Sequence, residues 1–338
     1  MINNVYRLVE EKLFQQALVD EPLGPDTVIV RPLYLSICAA DQRYYQGLRS
    51  ERVMREKLPM ALIHEASGRV VFDPKQEFKV GESVVLIANE PREEDDLVKE
   101  NYRLSSRFRS STVDGFMQEL VFINRDRIVS CSGIDEALAS MTELLSVAVN
   151  AYKSFLKHSH TKNDRIGIWG AGSLGFMVAL VLKTKLPEAA LVLFSTHSKK
   201  MDAFQMVDEK HYIDDNLKGI SVDHCFECVG GLNSRNALDQ MIDVINPEGV
   251  INLLGVSEEP VPVNTRMVLE KGITLVGESR SGKDDYLDAI DIIRQGPNQN
   301  YLRWLISDII AVKGIEDIDR AFKEDVLNSF KTLMKWEV

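Results

Sequence analysis

The chain has 338 residues, 45% of them hydrophobic and 27% charged, and carries a net charge of −11. Its length sets an expectation of two domains, each able to bury an ordinary core. The acidic balance argues against nucleic acid and anionic membrane as main partners, and no run of eighteen apolar residues offers a transmembrane helix.

The opening, MINNVYRLVEEKLF, lacks the basic and apolar regions of a secretory signal, so a cytoplasmic protein is expected. The first part then supplies short apolar runs punctuated by Gly and Pro: VIVRPLYL, ASGRVVF, GESVVLI and FMQELVFI. These read as strands of a compact β-rich domain. The acidic stretch NEPREEDDLVKEN at 89–101 reads as a solvated loop or helix face. From Asp135 to about Lys157 the pattern turns helical, with one break.

Strand and helix patterns then alternate. RIGIWG, AALVLFS, VDHCFECVG, GVINLLG and ITLVGE read as strands. SLGFMVALVLKTKL, KKMDAFQMV, NSRNALDQMIDVI and TRMVLEKG read as helices. This alternation predicts a doubly wound parallel sheet. Beyond Ser279 the pattern becomes mixed again, and the tail is expected to return to the first domain. The expected boundaries are 1–147 with 279–338, and 148–278.

Gly170-Ala171-Gly172-Ser173-Leu174-Gly175 fits GxGxxG between a strand and a helix. In that setting the first glycine permits a tight turn, the second a close approach of pyrophosphate, and the third close helix–strand packing. An NAD site usually places an acid at the end of the next strand. Here that strand ends Ser195-Thr196-His197-Ser198-Lys199-Lys200. Hydroxyls and cations without an acid suit the 2′-phosphate of NADPH.

The four cysteines, Cys38, Cys131, Cys225 and Cys228, read as thiols or metal ligands rather than a disulfide framework. Cys225 and Cys228 have CxxC spacing but fall on a strand pattern, where i and i+3 face opposite sides. They read as core residues. Cys38, His64, Glu65 and Glu143 together offer a thiolate, an imidazole and carboxylates, the donors of a catalytic zinc set; spacing alone leaves Cys38 equally readable as core, His64 as a strand residue and Glu143 as a helix-face acid.

The order of these pieces resembles the zinc-dependent medium-chain dehydrogenase/reductase family. SICAAD, IHEASG, FKVGESVV, DGFMQELVFI, TELLSVAVNAY and WGAGSLG are similar, in order, to that family's motifs. The resemblance implies an α/β protein with a β-rich GroES-like catalytic domain, built from both chain ends around a Rossmann domain. It implies Cys38, His64 and Glu143 as zinc ligands, Glu65 as a fourth or exchanging ligand, and Asp41 as a supporting acid. It also implies that Val229, Gly230, Leu254 and Gly255 join the glycine loop in the cofactor site. Ala40 and Arg43 replace the hydroxyl and histidine of the usual proton relay, leaving Tyr44, Glu65 or water as proton route. The 89–114 lobe lacks the four cysteines of a structural zinc site, so one zinc per chain is expected.

Within the family, RPLYLSICAADQRYYQG, LPMALIHE, FRSSTVDGFMQ, HCFECVGG, LLGVSEEPVPVNTR and SRSGKDD resemble the ribulose-5-phosphate reductases. That resemblance implies NADPH-dependent reduction of D-ribulose 5-phosphate to D-ribitol 5-phosphate, supplying CDP-ribitol for ribitol-phosphate surface polymers such as teichoic acid. A sugar phosphate needs a cation, and Arg43, Arg109 and Arg280 are the candidates. The segment LLGVSEEPVPV implies a homodimer, and the pathway a cytidylyltransferase partner. The competing readings are an NAD-dependent polyol dehydrogenase on an unphosphorylated sugar alcohol, a zinc-free quinone reductase, and a non-enzymatic NADPH-binding module.

Overall fold

The computed structural model describes residues 1–338 and divides into two compact units. One comprises Met1–Glu143 and Ser281–Val338, the other Leu144–Arg280.

The first unit opens with β1 (Ile2–Glu10), β2 (Leu13–Asp20) and β3 (Thr27–Ser36). Helices α1 (Ala39–Tyr45) and α2 (Glu51–Lys57) precede β4 (Met60–Ala61), β5 (Glu65–Phe72) and β6 (Ser83–Leu86). After them come β7 (Asn89–Glu90), β8 (Arg107–Phe108), β9 (Val121–Asn124), β10 (Ile128–Ser130) and α3 (Glu136–Ala139); α4 (Thr142–His158) begins with the last two residues of this stretch and otherwise belongs to the second unit. The second unit contains β11 (Arg165–Trp169), α5 (Ser173–Lys185), β12 (Ala190–Ser195), α6 (Ser198–Met201) and β13 (Glu209–Tyr212). It continues with β14 (His224–Glu227), α7 (Ser234–Val244), β15 (Val250–Leu253), α8 (Thr265–Lys271) and β16 (Thr274–Gly277). The chain then supplies α9 (Lys283–Arg294), α10 (Asn298–Arg303), β17 (Ile306–Val312), α11 (Ile315–Asp325) and β18 (Lys331–Trp336) to the first unit.

In the first unit β3 is the organising strand. It pairs antiparallel with β5, β9 and β18 in a sheet ordered β10-β6-β5-β3-β18-β17. The tail lies in the first unit, with β18 beside the strand that leads into Cys38. Ser36 lies opposite Glu65 on one side and Leu333 on the other. The apolar faces of these strands bury Leu35, Ile37, Ala66 and Met334 in one core with Tyr45, Phe116 and Phe322. The hairpin β1–β2 has no counterpart in the sequence reading. Its second strand, LFQQALVD, is largely solvent-facing and lacks an apolar run.

The 89–114 lobe is organised by one guanidinium. Arg103 donates to the main-chain oxygens of Val98 (2.9 Å), Glu93 (2.5 Å) and Asp95 (2.7 Å). An arginine fork, with five N–H donors in fixed geometry, can gather a loop by its carbonyls.

The second unit has a fully parallel sheet ordered β13-β12-β11-β14-β15-β16. Numbered within the unit this is 3-2-1-4-5-6, the doubly wound order, whose ligand crevice lies at the carboxyl ends of the strands where the order reverses. Two sequence expectations need correction. KKMDAFQMV is not a full helix: only Ser198–Met201 is helical, and Phe204 then turns inward against Phe176. Its apolar spacing reflects burial of a loop, not helical period. β13, EKHY, was not expected, because a charged strand at a sheet edge has no apolar run to announce it.

His224 in β14 is buried in this unit. Its Nδ1 accepts the Val250 N–H (3.1 Å) and its Nε2 faces the Lys162 carbonyl (3.0 Å), which assigns a neutral ring. Burial, and next the His160 ring whose centroid lies 4.4 Å away, push its pKa down to about 4 from the usual 6.5. A depressed folded pKa gives stability that is complete above pH 6.5 and is lost as pH falls through about 4. Urea melts from pH 7 to pH 4 should therefore show a loss of about 3 kcal/mol in wild type that His224→Gln lacks. Parallel pH profiles for the two proteins would contradict this.

Candidate active site

Cys38 follows β3 and caps α1, while His64 and Glu65 stand at the entry to β5. The pairing of β3 with β5 thus brings a thiol, an imidazole and a carboxylate together. Their ligand atoms lie within 4.8 Å of one another. A tetrahedral zinc with bonds of about 2.0–2.3 Å separates its ligand atoms by about 3.3–3.8 Å, so small side-chain shifts suffice for this set to fit the ion. Glu143, in the first turn of α4, stands outside this tight group of three. It is nevertheless buried, and burial raises its pKa to about 7, with the charges of His64, Glu65, Lys331 and Asp41 acting on it in turn.

The groups around the donors explain their orientation. Asp41 is buried and accepts from Cys38 N (3.2 Å), Ile63 N (3.1 Å) and Ser110 Oγ (2.6 Å). Its Oδ2 lies 3.6 Å from His64 Nδ1, which leaves Nε2 of that ring for a metal. Burial opposes ionisation of Asp41, but His64 and then the hydrogen-bond donors outweigh it and hold the carboxyl below its usual range. Burial likewise opposes a charged His64, and the Asp41 and Cys38 charges overcome it, so its pKa lies well above 6.5. That anionic setting also suits a divalent cation.

Glu65 is fixed from the other side. Lys331 Nζ donates to its Oε1 (2.5 Å) and to the Ile37 carbonyl (3.2 Å), while Ser36 Oγ donates to Oε2 (2.8 Å). Burial lowers the Lys331 pKa, but Glu65 first, and Cys38 after it, raise it above its usual value. Lys331, Ser36 and Ser110 were missed in the sequence. Lys331 reaches Glu65 across 266 positions, and a lone lysine opening an apolar strand reads as surface.

Ile63, immediately before His64, has φ 70. A β-branched residue in the left-handed region is a genuine outlier, costing about 1–3 kcal/mol. Asp41 holds its N–H and Phe116 N–H bonds its carbonyl (2.7 Å). The strain is thus held immediately beside His64.

The other expected residues of this unit are placed as follows. Arg43 lies in the last turn of α1 and is half-buried; Tyr44 is buried beneath the Arg49 guanidinium, 5.0 Å from the ring centre. Tyr45 packs on Phe14 and Phe322 and donates to Asp319 (2.6 Å). Arg109 is engaged by Glu90 (2.5 Å) and faces the carbonyls of Asp114 and Phe122.

In the second unit the glycine loop has the shape a dinucleotide requires. Gly170 has φ 111, and a Cβ there would lie 2.8 Å from the Cys228 carbonyl. A Cβ on Gly175 would collide with the Gly170 carbonyl, whereas around Gly172 the space is open. Gly172 caps α5, so the free N–H groups of its first turn, including those of Ser173 and Leu174, meet that opening. Gly170 N–H bonds the Phe194 carbonyl (2.9 Å), tying the loop to β12. β12 ends at Ser195, whose Oγ accepts from His197 N (3.1 Å), and Thr196, His197 and Lys199 are exposed beyond it. Lys200 is half-buried in α6. Arg280 ends this unit with φ 58, its carbonyl facing the Asn150 amide (3.2 Å). Cys225 and Cys228 are buried thiols whose pKa values burial raises well above the ordinary 9.

Both units have counterparts among known proteins. Residues 24–133 match the alcohol dehydrogenase GroES-like domain and residues 195–295 the zinc-binding dehydrogenase domain. The chain is thus a zinc-binding dehydrogenase of the medium-chain class. It is 47% identical over 100% of both chains to the ribulose-5-phosphate reductase of Bacillus spizizenii. It is 48% identical over 99% of both to ribulose-5-phosphate reductase 1 of Staphylococcus aureus. The crystal structure of S. aureus TarJ in complex with NADPH superposes with a TM-score of 0.88, at 43% identity over 100% of both chains. The chain belongs to the ribulose-5-phosphate reductase family.

Asp41→Asn removes the charge beside His64 while keeping its size. Zinc affinity, measured by competition with a chromogenic chelator, should fall about 10–100-fold. An unchanged affinity would show that Asp41 does not orient the ligand set.

Proposed function

We propose that this protein reduces D-ribulose 5-phosphate to D-ribitol 5-phosphate with NADPH. The reading is carried by the Cys38–His64–Glu65 set, with its imidazole and carboxylate buried and its thiol half-buried, in a chain that aligns end to end with ribulose-5-phosphate reductases. Zinc, one per chain, supplies a Lewis acid toward the ketone oxygen when bound. Cys38, His64 and Glu143 hold it, with Glu65 as fourth or exchanging ligand. NADPH supplies the hydride.

The protein's own groups do the rest. Asp41 fixes the His64 ring, and Lys331 with Ser36 holds the Glu65 carboxylate. Gly170, Gly172, Ser173, Leu174 and Gly175 receive the pyrophosphate, and Val229, Gly230, Leu254 and Gly255 complete the cofactor site. Ser195, Thr196, His197, Lys199 and Lys200 receive the 2′-phosphate, the exposed hydroxyl and cations being the support for this. Arg43 is the preferred anchor for the sugar phosphate, with Arg109 and Arg280 the next candidates. Tyr44, Glu65 or water carries the proton, since Ala40 offers no hydroxyl.

The product would feed CDP-ribitol synthesis for ribitol-phosphate surface polymers in the cytoplasm, alongside a cytidylyltransferase. No helix of the protein is long and apolar enough to cross a membrane. A homodimer would form through β16, the open edge of the parallel sheet, together with the segment after β15 that includes Pro260 and Pro262.

A panel of ketose phosphates and free ketoses, each with NADPH and NADH, tests the reading. Ribulose 5-phosphate with NADPH should give the highest kcat/KM. Equal turnover of free ribulose with NADH would instead favour a polyol dehydrogenase. In Arg43→Ala, KM for ribulose 5-phosphate should rise about tenfold or more while KM for NADPH holds. If neither constant moves, Arg43 is not the anchor.

A further inference from the structure

Several buried carboxylates of this protein face a cation: Asp73 has Arg125, Glu65 has Lys331, and Asp223 has Lys162. Glu227 does not. It ends β14, is buried, and takes part in no ion pair. Its charge is met entirely by N–H and O–H donors. Oε1 accepts from Val229 N (2.9 Å), Gly230 N (2.9 Å) and Ser234 Oγ (3.0 Å), and Oε2 accepts from Gly255 N (2.9 Å). Its main-chain carbonyl also takes the Leu254 N–H (3.0 Å) and shares that of Gly255 (3.1 Å).

One residue therefore pins two turns, the one after β14 and the one after β15. The glycines there are shaped to it. A Cβ on Gly255 would lie 2.5 Å from Oε2 and 2.7 Å from Oε1, and would collide with the Gly230 amide. Gly230 has φ 69, and a Cβ there would lie 2.9 Å from the Val256 carbonyl. Burying an anion without a cation costs several kcal/mol before its hydrogen bonds are counted. A carboxylate is, however, a group whose four lone-pair sites can draw the amides of two separate turns inward at once.

The place in the sheet gives this arrangement a role. A doubly wound sheet consists of two mononucleotide-binding halves, and the dinucleotide lies across the carboxyl ends of its strands. The glycine loop after β11 and the end of β12 belong to the first half. β14 and β15 belong to the second, the half left for the nicotinamide mononucleotide. We propose that Glu227 is a positioning residue for the nicotinamide end of the cofactor, setting the two turns that receive it without touching it. The proposal rests on the reading that this sheet edge binds NADPH.

The test compares two ligands by direct titration of the full chain: NADPH, and adenosine 2′,5′-bisphosphate, which lacks the nicotinamide half. Glu227→Gln keeps the size but turns a donor toward amides that are themselves donors. It should weaken NADPH about tenfold or more and leave the bisphosphate within about twofold, with zinc content unchanged. Ser234→Ala removes one of the four donors and should show the same selectivity with a smaller loss, so a misfolded Glu227→Gln does not end the test. NADPH affinity within about twofold of wild type in both variants, or equal weakening of both ligands, overturns the role of Glu227. Wild-type protein that binds neither ligand overturns the cofactor reading itself, and this proposal with it.

Discussion

The site depends on charge balance inside a core. Cys38, His64, Glu65, Asp41 and Glu143 are brought together by strand pairing and by the first turn of a helix, with little water to stabilise them. Isolated ions in such surroundings are costly, so each must be answered by an opposite charge or by donors. Lys331 answers Glu65, His64 answers Asp41, and Ser36 and Ser110 fill remaining lone pairs. The thiol, imidazole and carboxylate of Cys38, His64 and Glu65 meet within this balanced cluster, and a divalent cation is a ligand such a donor set suits. The left-handed Ile63 backbone belongs to the same arrangement, since its amide is one of Asp41's donors.

Each unit is preorganised by a different device. In the first, an ion pair from the far end of the chain fixes a donor; in the second, glycines shape turns so that backbone amides are exposed to phosphate. Preorganised dipoles and charges serve transition states because they need no rearrangement when charge develops. The chain as a whole carries −11, yet the stretch beyond β12 offers Lys199 and Lys200. Local cations there would offset the overall field for the 2′-phosphate proposed to dock at that strand end. The 89–114 lobe shows a third device, with Arg103 gathering three carbonyls in one fork.

The parallel sheet was legible because its strands are apolar runs and its glycine loop sits between a strand and a helix. β13 was not, since an edge strand protected by charge has the composition of a loop. Cys38, His64 and Glu65 were legible through motif order, and their convergence now follows from the register of Ser36 against Glu65. Lys331 was invisible because nothing local marks a partner 266 positions away. Glu227 was overlooked for another reason: it lies between two cysteines, in CFEC, and the spacing of the thiols drew the reading away from the acid. Asp41 was recognised as support, but whether it serves the imidazole or a bound water needed the 3.6 Å approach to His64 Nδ1.

The most direct test is elemental analysis of gently purified protein, paired with its rate of ribulose 5-phosphate reduction before and after chelation. This account predicts one zinc per chain, loss of turnover in step with loss of the metal, and recovery when zinc is returned. Undiminished turnover by folded, metal-stripped protein would contradict it.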